Sequence, residues 1–206
     1  MRDALATPTD GTVTLFAHAK DAQQFLELIQ LASDPVSASA QAGRIAKMLE
    51  AQPDSVPLLM ITGAIAEKAN DSEKAKQAYE KALTQFPNFL PAKARLAILS
   101  SKKNEFDQRG YDLALQARTA DPTNAEIAQA LGILTYYKGD FSRASALLKE
   151  SAANRPGDAE LLYHLALSQL KTNQVEEGRK HLQSALDAGL GGASATEARR
   201  LLAEKK

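Results

Sequence analysis

Three histidines are the side chains best suited to metal binding or acid–base work near neutral pH in this chain of 206 residues, because it has no cysteine. His18, His164 and His181 stand far apart, and no two share the i, i+4 spacing that turns a pair of imidazoles toward one metal. The absence of cysteine removes thiolate nucleophiles, disulfides and cysteine-based metal sites together. No G-x-S-x-G elbow, Walker loop or G-x-G-x-x-G fingerprint is present, and no nucleophile–base set is recognisable. One stretch is dense enough to suggest a site: LGILTYYKGDFSRASALLKESAANRP, residues 131–156, with two glycines, a Tyr-Tyr pair and a charged turn. Neither glycine stands between a strand and a helix, where a phosphate loop needs it. The expectation is a protein that is not an enzyme and holds no cofactor or metal, with its histidines on helix surfaces or in the core.

Composition narrows the remaining functions. Hydrophobic residues make up 44%, enough for a real core. Lysine plus arginine equal aspartate plus glutamate at 25 each, so the net charge is about zero. Binding nucleic acid or an anionic membrane without specificity requires a basic surface, and none is visible. No apolar run approaches the ~18 residues of a transmembrane span. The first residues, MRDALATPTDG, lack the apolar region of a signal peptide. The lack of cysteine does not identify the compartment, which is the cytoplasm or, if an upstream signal was removed, the periplasm.

The elements that position these residues show in long-range spacing. Pro53, Pro87, Pro122 and Pro156 follow one another at intervals of 34, 35 and 34 residues, each ending a similar phrase: AKMLEAQP, EKALTQFP, LQARTADP and KESAANRP. A fixed period of this size is the mark of stacked repeats. Within a period there are two helices. Leu59, Thr62, Gly63 and Ala66 recur on one face of the first, and Ala75, Tyr79, Ala82 and Leu83 line the second. KANDSEK supplies the turn, with Asp71 or Ser72 to cap the second helix. Proline ends that helix because it lacks the backbone donor and disfavours helix in the residue before it. Alternating β-branched residues are almost absent, so the fold class is all-α.

This pattern resembles the tetratricopeptide repeat (TPR) family, W-x2-L-G-x2-Y followed by A-x3-F, A and P. Residues 131–156 carry the resemblance best, with Leu131-Gly132, Ala144, Leu148, Ser151 and Pro156 at the family's positions. The preceding units match with Gly63, Ala75, Tyr79, Ala82 and Pro87, and with Ala97, Gly110, Ala114, Ala117 and Pro122. Leu165-Ala166, Gly178, Leu182 and Ala185 match in the last unit. Tryptophan is missing throughout, and Ala66, Ser100, Thr135 and Gln169 replace the first-helix tyrosine. A pentatricopeptide array would favour a period of about 35 and a basic face, and Sel1-like repeats usually run longer.

The resemblance implies a right-handed α-α solenoid of helix hairpins. Repeats are expected at 56–89, 90–124 (with one extra residue), 125–158 and 159–192, after a degenerate helix pair at 21–55. Residues 1–20 form an N-terminal arm, helical or extended. After Gly189, Gly191 and Gly192, residues 193–206 form a capping helix with Ala198, Leu201 and Leu202 on its inner side.

The family binds ligands on the concave surface lined by first helices. By register this groove takes Met60, Ala64 and Glu67, then Ala94, Ile98 and Ser101, then Gln129, Ile133 and Tyr136, and last Tyr163, Leu167 and Leu170. The Lys, Asn and Arg of the family's carboxylate clamp are mostly replaced by apolar or neutral residues. The lining therefore suits an apolar or amphipathic protein segment, with tyrosine giving large contact area at low entropy cost. The alternative is that the chain's own arm or adjacent first helices cover these residues, since soluble proteins seldom leave a wide apolar patch in water. The leading expectation is a non-catalytic interaction scaffold. Alternatives are a homodimeric or assembly module, such as those of bacterial envelope and secretion complexes, or a piece of a larger multidomain protein.

Overall fold

A computed structural model describes residues 40–204, and among these the chain is all helix, with no strand. Ten helices follow one another: α1 (Ala42–Ala51), α2 (Val56–Lys68), α3 (Ser72–Gln85), α4 (Leu90–Ser101), α5 (Gln108–Ala120), α6 (Ala125–Tyr137), α7 (Phe141–Asn154), α8 (Ala159–Lys171), α9 (Val175–Asp187) and α10 (Gly192–Ala203). The architecture is an all-α helical-repeat solenoid. The expected arm at 1–20, the first helix of the 21–55 pair and His18 lie outside the described residues. The chain divides into two compact units, one ending at Gln85 and one beginning at Phe86.

The turns inside the hairpins repeat as strictly as the prolines. Asn70, Asn104, Gly139 and Asn173 all have positive φ, between 56° and 92°. They fall at intervals of 34, 35 and 34 residues. Asparagine and glycine are the residues that tolerate this left-handed conformation at least cost.

In the first unit α1 packs on α2, and α2 forms a hairpin with α3. Asp71 caps α3 by accepting a bond from the Lys74 amide at 3.0 Å. Gly63 lets the hairpin close, since a Cβ there would lie 2.3 Å from Cε1 of Tyr79. The Tyr79 hydroxyl donates to the Glu67 carboxylate at 2.8 Å, which fixes the ring. Ile45, Leu58 and Ile61 form the buried cluster between α1 and α2.

The second unit stacks the hairpins α4–α5, α6–α7 and α8–α9, with α10 at the end. Each first helix packs on its own second helix and on the first helix that follows; α8 meets α10 instead. Side-chain caps start four helices here: Asp107, Asn124, Asp140 and Asp158 accept from exposed amides of α5, α6, α7 and α8. Gly132 sits against Leu148, and Gly178 against Leu170. Ala195 and Ala198 of α10 close the core formed by Leu162, Tyr163, Leu182 and Ala185, with Leu201 and Leu202 packed beside them. Arg179 donates to the carbonyls of Leu201 and Leu202, which satisfies the open C-terminal end of α10.

Candidate protein-binding groove

First helices stacked side by side bring matching faces into one surface. In the second unit α4, α6 and α8 together line a cavity of about 460 Å³. Four of the residues expected from register meet there: Ile98 and Ser101 from α4, and Gln129 and Ile133 from α6. Ala94, Tyr136, Tyr163, Leu167 and Leu170 are not part of this lining. Tyr163, Leu167 and Leu170 join the core that α10 closes, so their apolar surface is spent on the array's end. Met60, Ala64 and Glu67 belong to α2 of the first unit, where all three are half-buried.

The cavity is more charged than its register positions suggest. Arg95, Lys102 and Arg155 line it together with Glu126, Asp158 and Glu160. Arg95 and Glu126 pair at 3.4 Å from neighbouring first helices. Arg155 bridges Asp158 at 2.8 Å and donates to the Gln129 amide oxygen at 2.5 Å. Arg95, Glu126 and Glu160 each stand three residues before a register position, Ile98, Gln129 and Tyr163. Reading the same helix face one turn further would have found them.

His164, which also lines the cavity, is the centre of an aromatic cluster. Its ring meets those of Tyr136, Tyr137 and Tyr163 edge-on, with centroids 6.4, 6.1 and 5.2 Å away. His164 is only 2% exposed. Its Nδ1 lies 2.9 Å from the Glu160 carbonyl, an acceptor, so Nδ1 carries the proton. Nε2 is buried with no hydrogen-bond partner. Burial holds this imidazole below its ordinary pKa, so it is neutral. Burial, with nearby negative charge adding to it, pushes the phenols of Tyr137 and Tyr163 up to about 12. Burial also raises the Glu160 carboxyl, and Asp158 adds to the effect. Among the described residues no group of three or more histidines and acids could hold a metal ion.

The comparisons with known proteins follow the same register. Models described as tetratricopeptide repeat match residues 58–88 and 135–204. Both stretches are tetratricopeptide repeat (TPR) sequence. As a TPR protein the chain has the fold of a protein–protein interaction scaffold, a class that is generally non-catalytic. A TPR repeat-containing protein of Pseudomonas aeruginosa, PA4667, is 28% identical over 147 residues, 70% of this chain. The general transcriptional corepressor ssn6 of Schizosaccharomyces pombe is 31% identical over 109 residues, 51% of this chain. The chain spans 25% and 10% of those two relatives' lengths. Among solved structures, MamA (41-end) from Desulfovibrio magneticus RS-1 superposes with a TM-score of 0.60 at 14% identity, covering 77% of this chain and 94% of its own. The thermophilic TPR protein TTC0263 of Thermus thermophilus gives 0.56 at 16% identity, covering 83% and 98%. At these identities the likeness is one of fold. No helix among the described residues of this TPR chain is long and apolar enough to cross a membrane.

Proposed function

We propose that the second unit is a non-catalytic scaffold that holds an amphipathic protein segment in the groove of α4, α6 and α8. The observation that carries this reading is the lining of the 460 Å³ cavity, where Ile98 and Ile133 lie among side chains of both charge signs. Apolar contact supplies affinity in such a groove, and paired charges fix register and exclude wrong partners. A wholly apolar segment would strip water from Arg95, Glu126 and Arg155 without replacing it, so the fit is to a segment with one polar face.

Ile98 is the best residue for a test, because it lines the cavity and is only half-buried. Tyr163 is 8% exposed and packs in the core, so its truncation would mix binding with folding. A partner isolated by affinity capture on the intact chain is titrated against the chain carrying Ile98→Asp and Lys102→Glu. The expected result is a loss of about tenfold or more in affinity with an unchanged helical circular dichroism spectrum. Equal affinity for both chains would overturn the groove assignment.

A further inference from the structure

We propose that the groove anchors its segment by a basic side chain, the ammonium of a lysine or the guanidinium of an arginine, seated between Glu160 and His164; this rests on the groove reading above. Three acids line the cavity: Glu126, Asp158 and Glu160. Two are matched by cations of the chain itself, Glu126 by Arg95 at 3.4 Å and Asp158 by Arg155 at 2.8 Å. Glu160 is different. Among the described residues no lysine or arginine pairs with its carboxylate, which has the neutral hydroxyl of Ser194 and the neutral ring of His164, 4.0 Å away, beside it. Burial and the charge of Asp158 hold this carboxyl above the ordinary range, which is how a carboxylate short of positive charge behaves.

His164 adds a second acceptor. It stands one turn along α8 from Glu160 and lines the same cavity. Its Nδ1 proton is given to the Glu160 carbonyl at 2.9 Å, which leaves Nε2 as a lone-pair acceptor, buried and without a partner. An unmet acceptor of this kind costs free energy that a ligand's donor recovers. The carboxylate and Nε2 accept and do not donate, so the group that complements both donates, does not accept, and is positive. Near neutral pH lysine and arginine are the side chains that meet all three conditions. A neutral amide would leave the charge of Glu160 unbalanced, and an acid would be repelled by it. The cation meets the Glu160 carboxylate first, since that side chain is 54% exposed. It reaches Nε2 by turning aside Tyr136 or Tyr137, both only half-buried where they meet the His164 ring. Its methylene stem suits the apolar wall that Ile133 gives the cavity.

The probe is a displayed library of short amphipathic peptides selected on the full chain. Binders that lose affinity for Ile98→Arg, which blocks the groove without adding an acid, occupy the groove. Each is resynthesised with its lysines and arginines replaced one at a time by norleucine, which keeps an unbranched stem and removes the charge. The expected result is one basic position whose loss weakens binding to the parent chain about fivefold and binding to Glu160→Gln hardly at all. The nitrogen resonance of His164 Nε2 should shift when the basic peptide binds and stay in place with its norleucine form. Groove binders with no such position, or with one whose loss costs the parent and Glu160→Gln equally, would overturn the cation seat and leave the groove standing. An Nε2 resonance unmoved by the basic peptide would do the same. If no selected peptide responded to Ile98→Arg, the groove and the cation seat would fall together.

Discussion

The two units of this molecule solve the same packing problem at matching positions and then diverge. Gly63 faces Tyr79 in the first unit, and Gly132 faces Leu148 in the second, with 16 residues between the members of each pair. In both, a missing side chain on the first helix admits a large one from the second. The second unit repeats this hairpin three times in succession, and there consecutive first helices line a charged cavity. The first unit has one complete hairpin and a second helix, α1, without its partner among the described residues. A single repeat is enough to make a hairpin; making the groove takes a run of them.

The largest expected effect tests the shared packing solution. Alanine at Gly63 would place its Cβ 2.3 Å from the Tyr79 ring, which is 1% exposed and tied to Glu67. Alanine at Gly132 would meet Cγ of Leu148 at 2.7 Å, a smaller overlap, but against a side chain that is also fully buried. Overpacking of this kind costs ~1–3 kcal/mol, against a helix-propensity gain of about 1 kcal/mol for glycine to alanine. Gly63→Ala should therefore destabilise α2 and α3 more than Gly132→Ala destabilises α6 and α7. Local hydrogen-exchange protection measures both. Equal losses would show that the two glycines are under the same constraint, and the contrast between tyrosine and leucine would be lost.

Helix starts give a smaller contrast. Asn124 accepts from the amides of Glu126 and Ile127, at 3.1 and 3.2 Å, whereas Ser55 at the corresponding start of α2 makes no side-chain cap bond. Asn124→Ala should cost about 1 kcal/mol, and Ser55→Ala only a few tenths by the same scale. Urea unfolding midpoints of the two variants check the difference. A Ser55→Ala loss as large as that of Asn124→Ala would mean that the serine caps α2 in solution.

Much of this fold was legible because the signals are local and recur. The proline ladder marked where second helices stop, and Gly132, Gly63 and Gly178 marked the close approaches. Residue type narrowed the cap of α3 to Asp71 or Ser72, and the structure places it at Asp71. The candidate groove was legible only in part. Of the register positions, Ile98, Ser101, Gln129 and Ile133 line one cavity, and Arg95, Glu126 and Glu160, one turn away, line it without having been expected. Register also counted Tyr163, Leu167 and Leu170 as groove residues, although they pack into the core that α10 closes. Whether an apolar first-helix residue faces a ligand or a neighbouring helix depends on what stacks beside it, and periodicity along one helix does not carry that information. The burial of His164 is of the same kind, since its three tyrosine neighbours come from two different helices.

The smallest expected effect is a pH dependence that separates the units again. The described part of the first unit contains no histidine, and the second contains His164 and His181. Burial is the main cause holding both imidazoles below the ordinary value of 6.5. The unfolded chain therefore binds more protons than the folded one in the window below about pH 6.5, and folding stability falls as the pH drops through it. Glu160 opposes this. Its carboxyl is held above the ordinary 4.5, so in the window just above that value the folded chain binds the extra proton, and its share of stability rises on acidification. Replacing His164 with glutamine separates the contributions, because the other groups titrate in both chains. Protection factors for α6–α8, corrected for the intrinsic pH dependence of exchange, should fall between pH 7.5 and 5.5, and fall less in His164→Gln. Those for α2 and α3 should change little in either chain. If His164→Gln left the acid response of α6–α8 unchanged, the imidazole among the tyrosines would be readily protonated in the fold, and its neutral, buried state would be disproved.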